Sequence, residues 1–499
     1  MDDNKENIHL GDEKVKSKIL KSVKWTAGNS VLNMLYGPIY KIVMALVVDP
    51  VGFAYISAFA AVNSIGSLLN KIGLGQALLV EKETDTRQFS SVFWVDVIKA
   101  LLICVGIILL SPFIEMYYGL EGLGYMVAFF GISIFLSGAS RVFRCYLQKE
   151  LYLDSLVKIE VVQLLLDGIL SITSICLLKS IFGYVIGTLV SHIISSALLV
   201  FASFRRGFRV KMCFDFSLVK KMGSYAQAVS ARQILNYIVG IADELVIARL
   251  FSDKSILGYY YFAKDLIKKP QEVITAAVSR IALSAMAKFS DELKKLATLF
   301  SVMSKYLALV ALPVFGGIIL TADMFVPMFF GKEYTAAIFP ISMFCISAAV
   351  STISFSPASA VLYALKKPGT VLKIDMAINI GYIVALLLVP KNSVNAILFV
   401  AISEIILKAL FYNVFARKNS KITLLSFLKL LKATIISVAA MMITGCFVKL
   451  VLSAFFENIV ALSGVIIWGV VVHVGMMLIL DKSFVKKALK TLKNQGSEV

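Results

Sequence analysis

The chain alternates long apolar stretches with short polar turns, and the stretches share one characteristic length. A helix needs about 20 residues to cross a hydrocarbon core of about 30 Å. Fourteen segments reach that length: 25–48, 54–80, 89–114, 124–147, 156–178, 182–204, 224–248, 256–284, 299–322, 337–363, 370–389, 393–415, 432–452 and 458–480. Two of them are interrupted. Asn70-Lys71-Ile72-Gly73 breaks 54–80, and 256–284 carries a cluster of charges. The pattern predicts an all-α polytopic membrane protein of about fourteen transmembrane helices.

Composition removes the soluble alternatives. Hydrophobic residues make up 59% of the 499 and charged residues 16%, against roughly 45–50% and about 25% in ordinary soluble domains. The net charge of +19 raises the question of nucleic acid. The cations lie scattered between apolar runs of spanning length, which argues against a nucleic-acid partner. The polar, mixed-charge residues through Lys24 lack the apolar stretch and small-residue cleavage site of a signal peptide. The first span, from Trp25, is expected to act as the insertion signal.

Orientation follows from Lys and Arg, which remain in the cytoplasm far more often than they are translocated. With the amino terminus inside, 37 of the 50 cations fall on inside segments and 6 on outside loops. The other seven lie within spans: Lys41, Lys99, Arg232, Lys264, Lys268, Lys269 and Lys408. The bias alternates loop by loop, so it supports both the helix count and its parity. Both termini are expected in the cytoplasm.

The chain also restarts on itself. Asp49-Pro50-Val51-Gly52-Phe53-Ala54-Tyr55 follows the first span, and Ser255-Ile256-Leu257-Gly258-Tyr259-Tyr260-Tyr261 follows the seventh, with the glycines 206 residues apart. Six helices separate the copies, an even number, which predicts a parallel repeat about an axis along the membrane normal. The expected plan is a cytoplasmic N-tail over 1–24, an N-lobe over 25–204, a basic cytoplasmic linker over 205–223, a C-lobe over 224–415, two further helices over 416–480, and a cytoplasmic C-tail over 481–499.

Ionisable groups inside spans are costly and mark candidate functional sites. The eighth span holds the densest set, Lys264-Asp265-Leu266-Ile267-Lys268-Lys269-Pro270. At 1.5 Å per residue from an outer end near Ile256, Lys264 lies roughly 12 Å deep and Lys268 roughly 18 Å deep. Lys264 and Lys268 share a face, as do Asp265 and Lys269, and Pro270 is expected to kink the helix. Cations beside a break at this depth suit an anionic headgroup; Lys–Asp pairs inside the bundle are the bland alternative. Arg232 and Asp243 lie on one face of the seventh span. Asp96 and Lys99 are placed to neutralise each other, Asp167 stands in an apolar run, and Glu404 and Lys408 look self-paired. Six isolated cysteines and three isolated histidines give no metal site. Walker, GxSxG and HExxH motifs are absent, so no cofactor is implied.

Several stretches are similar to one family. Ile72-Gly73-Leu74-Gly75-Gln76-Ala77-Leu78-Leu79 resembles the "LGLGQALI" segment of bacterial polysaccharide exporters, and Ser91-Val92-Phe93-Trp94 resembles their "TAFWLN". Leu147-Gln148-Lys149-Glu150-Leu151-Tyr152 is similar to "LLQRELRF", Asn236-Tyr237 through Arg249 to "NYLARNLDNLLIGR", and Leu257-Gly258-Tyr259-Tyr260 to "LGLYS". Ala248 stands where the family has Gly. The resemblance is to lipid-linked oligosaccharide flippases of the multidrug/oligosaccharidyl-lipid/polysaccharide exporter superfamily, the O-antigen, capsule and exopolysaccharide branch.

That resemblance implies two six-helix lobes around a cavity and alternating access. It implies transfer of undecaprenyl-diphosphate-linked repeat units across the bacterial inner membrane, with a polysaccharide polymerase and glycosyltransferases as partners. The lysine run at 264–269 is not part of the family pattern, so its role rests on the physical argument. Arg232, Lys264, Lys268 and Lys269 are the expected headgroup contacts, and Tyr259, Tyr260 and Tyr261 the expected sugar-stacking faces. Asp96, Asp167 and Asp243 are the carboxylates to test for ion coupling. The rival readings are a cation-coupled multidrug exporter and a membrane glycosyltransferase or polymerase; the short outside loops count against the enzyme.

Overall fold

Asp49 and Pro50 open a helix by two separate devices. Proline suits the first helical position because its missing N–H and fixed φ cost nothing there, while Asp49 Oδ1 accepts the Gly52 N–H at 2.8 Å. The computed structural model describes residues 39–71, 86–150, 152–212, 237–288, 292–365, 368–390, 393–420 and 424–484, with Leu32, Tyr36, Gly37 and Leu78. Residues 39–47 are helical, and α1 then runs Pro50–Lys71.

Most of 72–80, the later part of the expected second span, lies outside the described residues. Near the described end of α1, Asn70 O accepts Lys99 Nζ at 2.9 Å and an Arg141 N–H. Asn70 Nδ2 donates to Ile134 O at 3.0 Å and ties the same turn to a neighbouring helix. α2 (Thr86–Tyr118) leads through Gly119 and Gly122, at φ 60° and 73°, into α3 (Leu123–Ala139). Glu115 closes that turn by accepting the N–H groups of Gly122 and Gly124 at 2.8 and 2.9 Å. The expected fourth span is found as one candidate span, Leu123–Lys149, with a turn at Ser140 that separates α3 from α4 (Arg141–Lys149).

α5 (Leu153–Leu178) and α6 (Phe182–Phe204) make the most extensive helix contact of this unit. Gly183 and Gly187 form a GxxxG pair, the small-residue spacing that lets backbones approach in lipid. A Cβ on Gly187 would lie 2.4 Å from Ser171 Cα, and one on Gly183 would lie 2.4 Å from the Ile175 amide. Beyond α6 the chain folds back as Phe208 stacks on Tyr146, with centroids 4.5 Å apart. Arg206 lies over the Tyr152 ring at 3.9 Å and donates to Ser155 Oγ at 2.6 Å.

The expected seventh span falls mainly outside the described residues. Its described end pauses at Ile241 and restarts as α7 (Ala242–Leu250). α8 (Ser255–Lys288) follows and runs through Pro270 without ending there. Then come α9 (Leu293–Phe329), a 3₁₀ turn (Lys332–Ala337), α10 (Ile338–Val350), a π turn (Ser351–Phe355), α11 (Ser356–Ala364), α12 (Pro368–Leu388), α13 (Val394–Ser420), α14 (Leu424–Phe455) and α15 (Asn458–Leu480). The π turn interrupts the segment expected as one tenth span. Asn413 of α13 holds that interruption, its Nδ2 donating to Ser354 Oγ and to its own Ala409 O, the latter at 2.6 Å.

Among the described residues, 11 helices are long and apolar enough to cross a membrane. α8 is long enough but too charged to count with them, and the expected first and seventh spans lie largely outside the described set. Contacts divide the chain into two compact units, Met1–Gly258 and Tyr259–Val499. The division falls inside α8, beyond the 205–223 linker expected to part the lobes. α7 is held within the first unit, where Tyr117 donates to Leu245 O at 3.1 Å. Gly258 lies so close to Pro50 that a Cβ would come within 1.7 Å of the Pro50 carbonyl oxygen.

The α5–α6 contact makes a direct prediction. Gly187→Ala forces a methyl into the Ser171 backbone and should destabilise the purified protein by about 1–3 kcal/mol. Gly106→Ala, with open space around it, should be neutral or stabilising by up to about 1 kcal/mol. Thermal unfolding of the two variants compares them directly.

Candidate functional site

α8 carries the cationic face. Lys268 lies 13 residues from the start of α8, roughly 20 Å along its axis. Lys268 and Lys269 are exposed, at 61% and 45%, and both reach Glu272, at 3.9 and 3.7 Å. Glu272 was missed in the sequence reading, although it stands at i,i+4 from Lys268. Exposed pairs of this length contribute little to stability, so the two ammonium groups stay available to a ligand. With Lys264 and Asp265 the segment nets one positive charge. Arg232 lies outside the described residues.

Tyr260 leaves the set of expected substrate contacts. It is 1% exposed, with its ring edge-on to Phe344 at 5.2 Å. Tyr259, Phe262, Phe330 and Tyr334 continue this aromatic packing, with Phe262 against Tyr334 and Phe330 at 4.9 Å each. The packing consumes the face that a sugar would have stacked on. Lys264 lies over the Tyr260 ring at 5.9 Å, the outer limit of a cation–π contact. Burial of Tyr260 therefore positions Lys264.

The three carboxylates proposed for ion coupling have different surroundings. Asp96 is fully buried and already neutralised, with Lys99 Nζ at 2.6 Å. That pair belongs to the contacts by which Lys99 and Arg141 hold the Asn70 carbonyl of α1. Asp243 and Glu244 occupy the first turn of α7, where the helix dipole favours negative charge. Asp243 Oδ1 accepts the Glu244 N–H at 2.9 Å, and Glu244 Oε2 accepts the Ser57 hydroxyl at 2.8 Å. Asp167 sits midway along α5 with its Oδ1 enclosed and making no hydrogen bond. Its companions come from other helices, which the sequence reading did not identify.

Other charges within spans are paired with neighbouring residues. Glu404 and Lys408 pair one turn apart on α13. Asp375 Oδ1 accepts the Tyr412 hydroxyl at 2.7 Å, joining α12 to α13. Among the described residues, no group of three or more His, Cys, Asp or Glu side chains could hold a metal ion.

Comparison with known proteins agrees with this architecture. The family described as "Polysaccharide biosynthesis protein" matches residues 43–339, and the chain belongs to it. The chain is 27% identical over 294 residues to the teichuronic acid biosynthesis protein TuaB of Bacillus subtilis, a match covering 59% of this chain and 60% of TuaB. It is 21% identical over 351 residues to the lipopolysaccharide biosynthesis protein WzxC of Escherichia coli, covering 70% of each. The fold matches the lipid II flippase MurJ with a TM-score of 0.74 at 15% identity, over 93% of this chain and 100% of the other. A multidrug resistance MATE transporter of the MOP superfamily matches with a TM-score of 0.61 at 15% identity, over 78% of this chain and 94% of the other. The chain shares its fold with these two transporters.

The environment of Asp96 separates a structural carboxylate from a functional one. Asp96→Asn leaves Lys99 without its counter-charge and should cost about 3–5 kcal/mol. Asp96→Asn combined with Lys99→Met should recover most of that loss. Denaturation of the single and double variants measures the difference.

Proposed function

We propose that this member of the polysaccharide biosynthesis family is a flippase, moving undecaprenyl-diphosphate-linked oligosaccharide units across the bacterial inner membrane by alternating access. The observation that carries the reading is the open lysine pair on α8. Charged side chains roughly 20 Å along a helix expected to span are costly against lipid tails. Such side chains face water or a charged ligand, and the ligand that suits Lys268 and Lys269 is a diphosphate. Ammonium groups bind phosphate oxygens as point charges through charge-assisted hydrogen bonds.

In this reading the diphosphate and glycan enter a polar path while the polyprenyl tail remains in lipid. Glu272 holds the two lysines between substrates, and the headgroup displaces it. Lys264, braced by Tyr260, adds charge one turn away. The cytoplasmic excess of Lys and Arg orients both termini inward. The inside-negative membrane potential favours outward movement of a doubly charged headgroup by roughly 4–5 kcal/mol per 100 mV. The two lobes arise from the parallel repeat that opens at Gly52 and Gly258, and the polymerase and glycosyltransferases of the same polysaccharide act on either side.

The test is Lys268→Gln with Lys269→Gln in one chain. Because both residues are exposed and their ion pairs long, the variant should reach the membrane folded and at wild-type level. Surface polysaccharide should fall roughly tenfold or more, the scale of one lost charge-assisted hydrogen bond. Normal polysaccharide from that folded variant rejects the role of the lysines. Drug efflux by the wild-type chain without polysaccharide transfer would move it to the multidrug branch.

A further inference from the structure

The chain leaves α6 through a run of four cations with no acid, Arg205-Arg206-Gly207-Phe208-Arg209-Val210-Lys211-Met212. The run is a strap laid back on its own unit. Phe208 is buried in a cluster with Leu78, Phe89, Val142 and Phe143, and Val210 packs against the same cluster. The main chain is fastened at both ends. Tyr146 donates its hydroxyl to Arg206 O at 3.2 Å. The Lys211 N–H donates to Ser90 Oγ at 2.9 Å, and Trp94 Nε1 donates to Lys211 O at 3.2 Å.

Anchoring alternate residues turns the others outward. In extended chain, successive side chains point to opposite sides. Phe208 and Val210 accordingly face the core, while Arg209 and Lys211 are exposed. Arg205 is exposed as well, whereas Arg206 is spent on the Tyr152 ring and Ser155. Among the described residues, no carboxylate pairs with Arg205, Arg209 or Lys211.

The neighbouring apolar residues set the level of this edge. Phe201 and Phe204, near the end of α6, are 60% and 49% exposed, rings that a spanning helix turns to lipid. Arg205 Cζ lies 5.8 Å from the centre of the Phe201 ring. The cationic edge therefore begins where the lipid-facing surface stops, at the depth of phospholipid phosphates. Met212, 92% exposed beside Lys211, closes the strap with an apolar side chain suited to the same boundary.

We propose that Arg205, Arg209 and Lys211 form a docking edge for the phosphate headgroups of anionic phospholipids in the adjoining leaflet. Guanidinium groups take phosphate oxygens in pairs, and an ammonium takes them as a point charge. Each basic residue at a membrane surface adds roughly fivefold to the affinity for anionic lipid. Three of them held in register by one strap favour an anionic headgroup over a zwitterionic one. The edge is separate from the lysine pair of α8 and needs no cargo.

The experiment uses the full-length protein in a neutral detergent, with bound lipid counted by native mass spectrometry. Dioleoylphosphatidylglycerol and dioleoylphosphatidylcholine are titrated in separately. The wild type should take up phosphatidylglycerol at a concentration roughly tenfold or more below phosphatidylcholine. Arg205→Gln, Arg209→Gln and Lys211→Gln in one chain should remove most of that preference. Lys294→Gln with Lys295→Gln, two exposed cations at the start of α9, should keep it. Equal uptake of both lipids by the wild type overturns the proposal, as does a triple variant that keeps the preference. An equal loss in the α9 control also overturns it, because net charge then accounts for the effect. Glycerol 3-phosphate, which carries a phosphate without acyl chains, should not displace the lipid at equal concentration; displacement rejects the lipid assignment. Should the triple variant fail to fold, Arg209→Gln alone decides, with a roughly fivefold loss expected and an unchanged preference counting against the edge. No glycan is present, so the flippase reading and this edge can fail independently.

Discussion

Hydrocarbon offers no hydrogen bonds, and most polar features of this chain answer to that single constraint. Serines within helices return their hydroxyls to carbonyls of the preceding turn, as Ser90, Ser91 and Ser342 do. The Asn70 carbonyl of α1 accepts from Lys99 and Arg141, and Asp96 then balances the lysine. Glu115 seals the amide groups of the turn into α3. Each device satisfies a group that water would otherwise have served, and each fixes one helix against another. Polar satisfaction and helix placement are therefore one problem here.

Against that background the exceptions are the informative residues. Lys268 and Lys269 are exposed with only a long pairing to Glu272, so they are built to be reached. The aromatic packing around Tyr260 shows the opposite case, in which a residue that looked accessible from its position at a helix mouth is fully committed to the core.

Much of the fold was legible because membrane insertion depends on a coarse property. Runs of about 20 apolar residues and the asymmetry of Lys and Arg survive errors of several residues, so class and span positions emerged from the pattern. Breaks inside spans were not legible in the same way. The turn at Ser140 precedes the polar stretch Arg141–Lys149, and the π turn at Ser351–Phe355 is held by Asn413 from a distant helix, a contact that the local pattern does not show. Asp167 was visible as a charge in an apolar run, but Thr188 becomes its neighbour only through the α5–α6 contact. Gly183 and Gly187 were the available signal for that contact. Glu272 was one helical turn from residues already singled out.

The π turn has a consequence for descent as well as for shape. A π turn holds one residue more than an α turn, so it shifts the phase of everything beyond it by about 100°. Asn413 bonds to Ser354 within that turn and thereby stabilises the altered phase. The side chains that α11 presents to its neighbours are accordingly determined by the length of the chain at this point, independently of their own chemistry. A lineage that lost one residue between 351 and 355 would keep nearly the same composition and hydropathy, yet turn a different face of the segment inward.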